Sequence, residues 1–387
     1  MESVDPKPRV LVAAEWFTPA FRAGGPIRSV ANLVELLGET HDVWVVAGAY
    51  DLAQTAPLPN LPLNEWIERP WGHVMYLTHD RWTRGLWQEL ILEQLRPDFL
   101  YLNSLFARFF AQTPLHVARQ RPETQVVVAP RGMLGPGALE IKRLKKRVFL
   151  SAARGLKWFH GVRWHASTAM EEGEIRAQFP DAEVFVAQNL PSLPSASPSD
   201  ERLNDGPLVL AALGRIQEKK NIHFGLKVLA EALRATQNPP EVNVQLIGPA
   251  ESEQYLQTLL NQPDWPRSLR VEHLGARTPD EVSELLGRVH FLLMPTRHEN
   301  FGHAIVEAWS HGCPVLLSDQ TPWRDLEHRQ LGWDWELDER TWVEGLKRVL
   351  DMDRAEWSRW STAATHHFNT VVRSPEILDA NRRIFSA

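Results

Sequence analysis

The chain has 387 residues, of which 43% are hydrophobic and 23% are charged, so its composition is that of a globular protein and its length suggests two domains. A net charge of −6 excludes the general basic excess of a nucleic-acid-binding protein. The sequence contains no apolar run close to the roughly 20 residues that span a bilayer, and its first residues lack a signal-peptide pattern. The single cysteine, Cys313, excludes an intrachain disulfide framework. We therefore expect a cytoplasmic protein.

In the first half of the chain, short apolar runs alternate with helical patterns. A helix is predicted from Pro26 onwards, and others at residues 86–95 and 106–119. Strands are predicted at residues 9–14, 41–47, 98–103, 125–129 and 183–187. This alternation indicates a parallel sheet with helices on both faces. We expect residues 1–190 to form the first domain.

A segment rich in Pro, Ser and Asp interrupts the alternation at residues 191–207, and we interpret it as a linker. The alternation then returns, with helices predicted at residues 221–235, 252–260 and 279–286. Strands are predicted at residues 208–213, 242–247, 269–273, 291–294 and 315–317. We expect a second domain at residues 208–365, followed by a helical segment at 366–387. The predicted fold class is α/β, with two Rossmann-like domains facing each other across a cleft that suits ligand binding.

Three loops of the first half follow predicted strands and carry candidate functional residues. Gly24 and Gly25 lie in the sequence EWFTPAFRAGGPIRSV, where glycine lets the backbone approach a ligand closely and Pro26 suits a first helical turn. A plain tight turn explains the same residues equally well. Arg131 lies in PRGML, which follows the predicted strand at 125–129. Ser167 lies between a strand and a helix in HASTAME.

Residues 141–165 are strongly basic, and no acidic residue occurs between residues 141 and 170. Leu144, Val148, Ala152 and Leu156 recur at helical spacing within this basic stretch. Such a helix suits contact with an anionic membrane surface. A core-packing helix with a solvated basic face is the alternative, and the sequence leaves both open.

The second half contains a basic loop and an acidic turn. In LGRIQEKKN, Gly214 ends a strand and is followed by Arg215 and Lys220, two cations that suit a diphosphate. In residues 291–319, a strand leads into a turn with Glu299 and Gly302, and a helix carries Glu307. Carboxylates there suit sugar hydroxyls, and the N–H groups near Phe301 suit phosphate.

These segments resemble the motifs of retaining glycosyltransferases with the GT-B fold, and family 4 (group 1) most. Residues 291–319 resemble the E-x7-E signature, LGRIQEKKN is similar to G-R-[IL]-x-x-x-K-[NG], and HASTAME is similar to H-x-S-x-x-x-E. The glycine loop resembles the family loop that faces the donor phosphates or the acceptor. Where many members have a histidine, this chain has Arg131, which indicates an anionic group on the donor or the acceptor.

The resemblance implies that the second domain binds a nucleoside diphosphate sugar, UDP-linked or GDP-linked, and that the first binds a glycan or lipid-linked acceptor. It also implies a role in cell-surface polysaccharide or lipopolysaccharide synthesis, needing neither metal nor cofactor, and a C-terminal segment that packs on the first domain. The implied catalytic residues are Arg215, Lys220 and Glu299. The implied donor-binding residues are Gly25, Gly214, Asn300, Phe301, Gly302 and Glu307. Gly24, Arg131 and Ser167 are implied on the acceptor or sugar side.

Several alternatives compete with this interpretation. A sugar-nucleotide 2-epimerase shares the two-domain architecture, and a catalytically degenerate GT-B binding protein would keep the same fold. Asp351-Met352-Asp353 is a D-x-D string, but its position between helical patterns favours a helix N-cap. His298 and His303 are five residues apart, which does not fit the four-residue spacing of a zinc peptidase.

Overall fold

The computed structural model describes residues 6–140, 142–192, 194, 206–262 and 264–386. The chain divides into two compact units. The first unit contains the residues up to Leu190 and those from Pro375 onwards, and the second contains Pro191–Ser374. The expected linker, 191–207, therefore begins in the second unit and lies largely outside the described residues. The expected C-terminal segment, 366–387, is divided between the two units at Pro375.

The first unit is built on an eight-stranded sheet within the described residues, in the order β3-β4-β2-β1-β5-β6-β7-β8. All pairings are parallel except that between β3 and β4. The strands are β1 (Arg9–Ala14), β2 (Asp42–Gly48), β3 (Trp66–Arg69), β4 (Gly72–Leu77), β5 (Phe99–Leu102), β6 (Gln125–Val128), β7 (Arg163–Ala166) and β8 (Glu183–Val186). The helices are α1 (Gly25–Gly38), α2 (Arg84–Gln88), α3 (Thr113–Ala118), α4 (Pro136–Glu140), α5 (Arg143–Gly155) and α6 (Ala169–Gln178).

The second unit has a six-stranded, all-parallel sheet within the described residues, in the order β11-β10-β9-β12-β13-β14. Its strands are β9 (Leu208–Leu213), β10 (Val242–Ile247), β11 (Leu269–Gly275), β12 (Phe291–Met294), β13 (Val315–Ser318) and β14 (Gly332–Trp335). Its helices are α7 (Ile222–Ala235), α8 (Glu253–Leu260), α9 (Pro279–Leu286), α10 (His303–Ser310), α11 (Glu339–Leu350) and α12 (Arg354–His367). The predicted α/β class with two parallel-sheet domains is confirmed.

The predicted helices at 86–95 and 106–119 each contain a π-helical stretch. Glu89–Gln94 continues α2, and Arg108–Gln112 precedes α3. The strands β3, β4 and β14 were not predicted. The edge strand β3 is short and half-exposed, so it carries little of the apolar signal from which strands are predicted.

The last helix, α13 (Pro375–Arg383), returns the chain to the first unit. Phe385, which follows it, is buried against Phe99, Tyr101 and His41, with ring centroids 5.7 to 6.1 Å apart. The side-chain amide of Asn381 also donates to the Gln188 carbonyl at 2.9 Å. The first unit is therefore closed by residues from both ends of the chain.

The strand order sets where each unit can bind a ligand. In a doubly wound sheet, the loops at the carboxyl ends of the strands diverge where the strand order reverses, and a crevice opens there. The reversal lies between β1 and β5 in the first unit and between β9 and β12 in the second. The glycine loop follows β1, the basic loop follows β9, and the acidic turn follows β12.

Candidate functional site

In the second unit, the reversal between β9 and β12 brings the basic loop against the acidic turn. The Lys220 ammonium forms an ion pair with the Glu299 carboxylate, with Nζ 2.5 Å from Oε2. Both side chains are about one-fifth exposed, at 20% and 18%. The two residues are 79 positions apart in sequence, so the sheet topology, rather than local sequence, creates the pair.

Burial raises the pKa of the Glu299 carboxyl, but the charges of Lys220 and Lys219 and the hydrogen bond from Lys220 outweigh it, so the net pKa lies below its ordinary value of 4.5. Glu299 is therefore an anion at neutral pH. In this state it accepts hydrogen bonds and cannot act as a proton donor.

Hydrogen bonds to backbone carbonyls hold the two loops together. The Arg297 N–H donates to the Lys219 carbonyl at 3.0 Å, and the Thr296 hydroxyl donates to the same carbonyl at 3.3 Å. The Glu299 N–H donates to the Gln320 carbonyl at 2.8 Å, which ties the acidic turn to the loop after β13. Lys220 and Glu299 are thus presented by mutually braced loops.

Arg215 does not share the carboxylate of Glu299. Its Nη1 lies 2.6 Å from Oε1 of Glu251, and the two side chains are 41% and 43% exposed. Gly214, Arg215 and Lys220 nevertheless line one depression, together with Leu293 and Met294 of β12 and with Ala212, Leu213, Ile216 and Ile222. Glu251 was missed by the sequence analysis, although it lies in the loop that follows the predicted strand at 242–247.

Two glycines shape the floor of this loop region. Gly214 has φ +128° and Gly248 has φ +141°, conformations that L side chains rarely adopt. A Cβ atom at Gly248 would lie 2.0 Å from the Gly214 carbonyl oxygen. The close approach of the loops after β9 and β10 therefore requires glycine at residue 248.

The acidic turn leads into α10 through Gly302, at φ +82°, and no side chain among the described residues caps this helix. Phe301 is buried, and its carbonyl accepts a hydrogen bond from the Trp323 indole at 2.6 Å. Asn300 is half-buried beside it, while Glu307 lies on α10 and is only 8% exposed. The amino terminus of α10 and the Lys220–Glu299 pair therefore belong to the same loop system.

In the first unit, the glycine loop follows the carboxyl end of β1 and is held by a buried carboxylate. Asp51 accepts hydrogen bonds from the N–H groups of Phe21 and Arg22, at 3.0 and 3.1 Å. Gly24 has φ +72° and immediately precedes α1, whose first residue is Gly25. Pro26 lies in the first turn of α1, as predicted. Asp51 was missed by the sequence analysis because it lies beyond the predicted strand at 41–47.

Arg131 also lies at the carboxyl ends of the strands, and its guanidinium donates to a network of neutral acceptors. Its Nε donates to Asn103 Oδ1 at 2.8 Å, and its Nη2 donates to the Tyr101 hydroxyl at 2.5 Å. Its Nη1 donates to Asn189 Oδ1. Asn103 and Asn189 were also missed, although the first ends a predicted strand and the second follows one.

Ser167 is turned towards the interior of the fold. Its N–H and hydroxyl both donate to Oε2 of Glu171, at 2.8 and 2.7 Å, and Glu171 is fully buried. The other carboxylate oxygen, Oε1, accepts from the Gly132 N–H at 2.6 Å. In this structure, Ser167 and Glu171 therefore brace the turn that carries Arg131.

The basic segment 141–165 contains α5, which leaves an apolar stripe in solvent. Leu144, Val148 and Leu156 are 75%, 63% and 63% exposed. Exposed cations flank them, whereas Lys146 is engaged within the fold, with Nζ 2.6 Å from the Ala138 carbonyl oxygen. No helix in the described part of the chain is long and apolar enough to cross a membrane.

The described residues contain no group of three or more His, Cys, Asp or Glu side chains arranged to hold a metal ion. In the D-x-D string, the Asp353 carboxylate accepts from the Glu356 N–H at 2.7 Å and caps α12. The predicted N-cap is confirmed.

Comparison with known proteins finds a family match within the second unit. The sequence model of the family described as "Glycosyl transferases group 1" matches residues 207–351. A lipopolysaccharide core biosynthesis glycosyltransferase, LpsE of Rhizobium meliloti (strain 1021), is 30% identical over 112 residues. That match spans only 29% of each of the two chains.

Solved structures share the architecture over almost the whole chain. Sucrose-phosphate synthase from Thermosynechococcus elongatus superimposes with a TM-score of 0.72 at 16% identity, over 98% of both chains. Anabaena HepE, solved in complex with UDP and glucose, gives a TM-score of 0.70 at 17% identity, also over 98% of both chains. WaaG, a glycosyltransferase involved in lipopolysaccharide biosynthesis, gives 0.62 at 14% identity, over 98% of this chain and 100% of WaaG. At these identities the likeness establishes the fold alone, so the chain has the two-domain GT-B architecture of these proteins. Within it, residues 207–351 match the group 1 glycosyltransferase family.

Proposed function

We propose that the chain transfers a sugar, with retention of configuration, from a nucleoside diphosphate sugar to a hydroxyl group of a glycan or lipid-linked acceptor. The observation that carries the proposal is the convergence of Arg215, Lys220, Glu299 and the start of α10 at the reversal point of the second sheet. UDP is the favoured nucleotide and GDP the second candidate. HepE, a structural neighbour, has been solved with UDP-glucose.

The cations supply what the leaving group needs. As the bond to the sugar breaks, negative charge grows on the diphosphate, and fixed positive groups lower the energy of that transition state. Lys220 is held in place by Glu299, and Arg215 is paired only at an exposed surface, where an ion pair contributes little and exchanges readily for phosphate. Backbone N–H groups at the start of α10 add a further anion-binding element.

The carboxylates would serve the uncharged parts of the donor. Glu307 on α10 would accept hydrogen bonds from the ribose hydroxyls, and the anionic Glu299 would orient the sugar. The acceptor hydroxyl would lose its proton to the departing phosphate oxygen, so the proposal assigns no nucleophile to a side chain and no step to a metal.

The proposed setting is the synthesis of lipopolysaccharide or another cell-surface polysaccharide. The similarity to LpsE supports this setting over the stretch that matches. We also propose that the exposed stripe of α5 brings the enzyme to an anionic membrane surface, where a lipid-linked acceptor would be found.

The test is a thermal-shift panel of UDP, GDP, ADP and CDP, with and without EDTA. A ligand that binds only the native state, at about 100 times its dissociation constant, adds roughly 2.7 kcal/mol. We expect a base-selective, EDTA-insensitive shift that is lost in Glu307→Ala and kept in Glu284→Ala, an exposed glutamate of the same unit. A folded protein that no nucleotide stabilises would contradict the proposal. Once an acceptor is found, a product of inverted anomeric configuration by NMR would contradict retention.

A further inference from the structure

We propose that Arg131 is the centre of an oxyanion-binding site in the first unit, which takes a phosphate or carboxylate group carried by the acceptor. The assignment of the anion to the acceptor rests on the proposed function, whereas the site itself rests on the contacts around the guanidinium. The inference names the chemical class of acceptor, an acidic one, which neither the family match nor the fold specifies.

The guanidinium is held in place, but none of the carboxylates that the structure describes forms an ion pair with it. A guanidinium has five N–H donors, and those of Arg131 meet three acceptors, on Asn103, Asn189 and Tyr101. All three acceptors are neutral oxygens. Among the described residues, Arg131 forms no ion pair, and two of its N–H groups have no acceptor. The side chain is half-buried, so water solvates the guanidinium only in part. A bound oxyanion would therefore form a strong, charge-assisted hydrogen bond with it.

The hydrogen-bond directions in this network follow from the backbone. His165 lies 2.8 Å from the Ala187 carbonyl through Nε2, and because a carbonyl only accepts, Nε2 carries the proton. Its Nδ1 therefore accepts from the Tyr101 hydroxyl at 2.8 Å, and the Tyr101 oxygen in turn accepts from Arg131. Burial lowers the pKa of His165 to about 3, so this histidine stays neutral and the cation of the network is Arg131.

The turn that carries Arg131 is held by a buried carboxylate. Arg131 has φ +55°, a left-handed conformation that non-glycine residues adopt only where the surroundings impose it. Here the fully buried Glu171 imposes it, because its carboxylate accepts a hydrogen bond from the N–H of the next residue, Gly132. The buried carboxylate therefore holds the turn and does not form an ion pair with Arg131. The positive charge of Arg131 can then pair with the anionic group of a ligand.

The site lies at the reversal point of the first sheet. Asn103 accepts from Arg131 through Oδ1, and its amide nitrogen lies 3.3 Å from the Pro26 carbonyl oxygen in the first turn of α1. One side chain thus connects the guanidinium to the helix that begins at the glycine loop. The planar fork of arginine matches the two oxygens of a carboxylate or phosphate, which a lysine at this position would not do.

The experiment measures stabilisation of the full chain by inorganic phosphate and by acetate, each against chloride at matched ionic strength. We expect a saturable phosphate or acetate shift in wild type, an apparent dissociation constant raised at least about tenfold in Arg131→Gln, and a partial effect in Arg131→Lys. Arg119→Gln, which changes an exposed cation at the end of α3, should keep the wild-type response. A response lost in Arg215→Gln and kept in Arg131→Gln would place the anion in the second unit and overturn the proposal.

Asn189→Asp separates anion binding from a purely structural role. It replaces a neutral acceptor of Arg131 with a near-isosteric carboxylate, which supplies an internal counter-ion. We expect this variant to fold with unchanged or higher stability and to lose the anion response. If it keeps the full response, or if wild type has none, the site does not exist. The UDP shift measured in the same samples keeps the two proposals apart, since a normal UDP shift without an anion response removes only this site.

Discussion

Under the proposed function, the Lys220–Glu299 ion pair serves both stability and chemistry. Each side chain is about four-fifths buried, so neither charge is well solvated, and each depends on the other. Because the pKa of Glu299 lies below its ordinary value of 4.5, the pair stabilises the fold at neutral pH, and this stability is lost as the pH falls through the lowered pKa.

We expect Lys220→Ala to destabilise the second unit by about 1–3 kcal/mol, because it leaves a buried carboxylate without its cation. In this variant the pKa of Glu299 should rise, and turnover with saturating donor should fall, as it should in Arg215→Ala. Urea denaturation and steady-state kinetics measure these effects. The double variant Lys220→Ala with Glu299→Gln should recover part of the lost stability. Wild-type turnover in both cation variants would show that the clamp assignment is wrong.

We expect His165 to make the first unit sensitive to acid. Its folded pKa is about 3 against an ordinary 6.5, so as the pH falls below 6.5 the unfolded chain takes up a proton and the folded chain does not. Stability should therefore fall by up to about 1.4 kcal/mol per pH unit until the pH approaches 3. Hydrogen exchange of the β7 amides between pH 7 and 4 measures this loss. His165→Gln should flatten the slope, while His328→Gln, at an 86% exposed side chain, should leave it unchanged.

At the scale of elements, both candidate sites depend on how the loops after parallel strands approach each other. Gly248→Ala tests this dependence in the second unit, because its Cβ would collide with the Gly214 carbonyl and its φ is +141°. We expect a loss of more than roughly 2 kcal/mol and a weaker UDP shift, since the loop carrying Arg215 and Lys220 must move. The control is Gly173→Ala in α6, where a Cβ meets nothing within 4 Å. It should stabilise the chain by about 0.5–1 kcal/mol. Equal effects from the two changes would contradict this account.

The exposed face of α5 gives a second prediction at this scale. Leu144→Ser with Val148→Ser should reduce binding to vesicles of anionic lipid at least tenfold, because each apolar side chain contributes roughly 1.5 kcal/mol or more when buried. Both side chains are mostly exposed, so the fold should be unaffected. Lys145→Glu with Arg147→Glu should weaken the same binding in a salt-dependent manner. Vesicle sedimentation measures both, and unchanged binding in the serine variant would remove α5 as a membrane contact.

At the scale of the whole molecule, the chain crosses between its two units twice, and its last residues complete the core of the first. Phe385 is 2% exposed and packs on rings from β5 and on the ring of His41, which directly precedes β2. Phe385→Ala should therefore destabilise the first unit by about 3–5 kcal/mol and leave the second unit unaffected. Hydrogen exchange resolves the two units. Val371→Ala, in the second unit and 47% exposed, should change stability by less than about 0.5 kcal/mol. Loss of protection in both units from Phe385→Ala would show that they unfold together.

Much of this architecture is predictable from local pattern. Central parallel strands such as β1, β9 and β12 are largely apolar and mostly buried, and each one ends in a loop with glycine or charge. Short edge strands such as β3 and β14 lack this signal. The boundary at Pro375 is also not readable, because α12 and α13 are both helical and only their packing partners differ.

The sequence by itself determined the fold class, the family of residues 207–351, and the positions of Arg215, Lys220, Glu299 and Glu307 in loops and on a helix. These features depend on residue type and short-range spacing, which a linear chain contains. Only the tertiary structure decided the partners: Glu299 for Lys220, Glu251 for Arg215, and Asn103, Asn189 and Tyr101 for Arg131. Such pairings join residues tens of positions apart, and the order of strands in a parallel sheet, which brings distant loops to one edge, is the physical reason they exist.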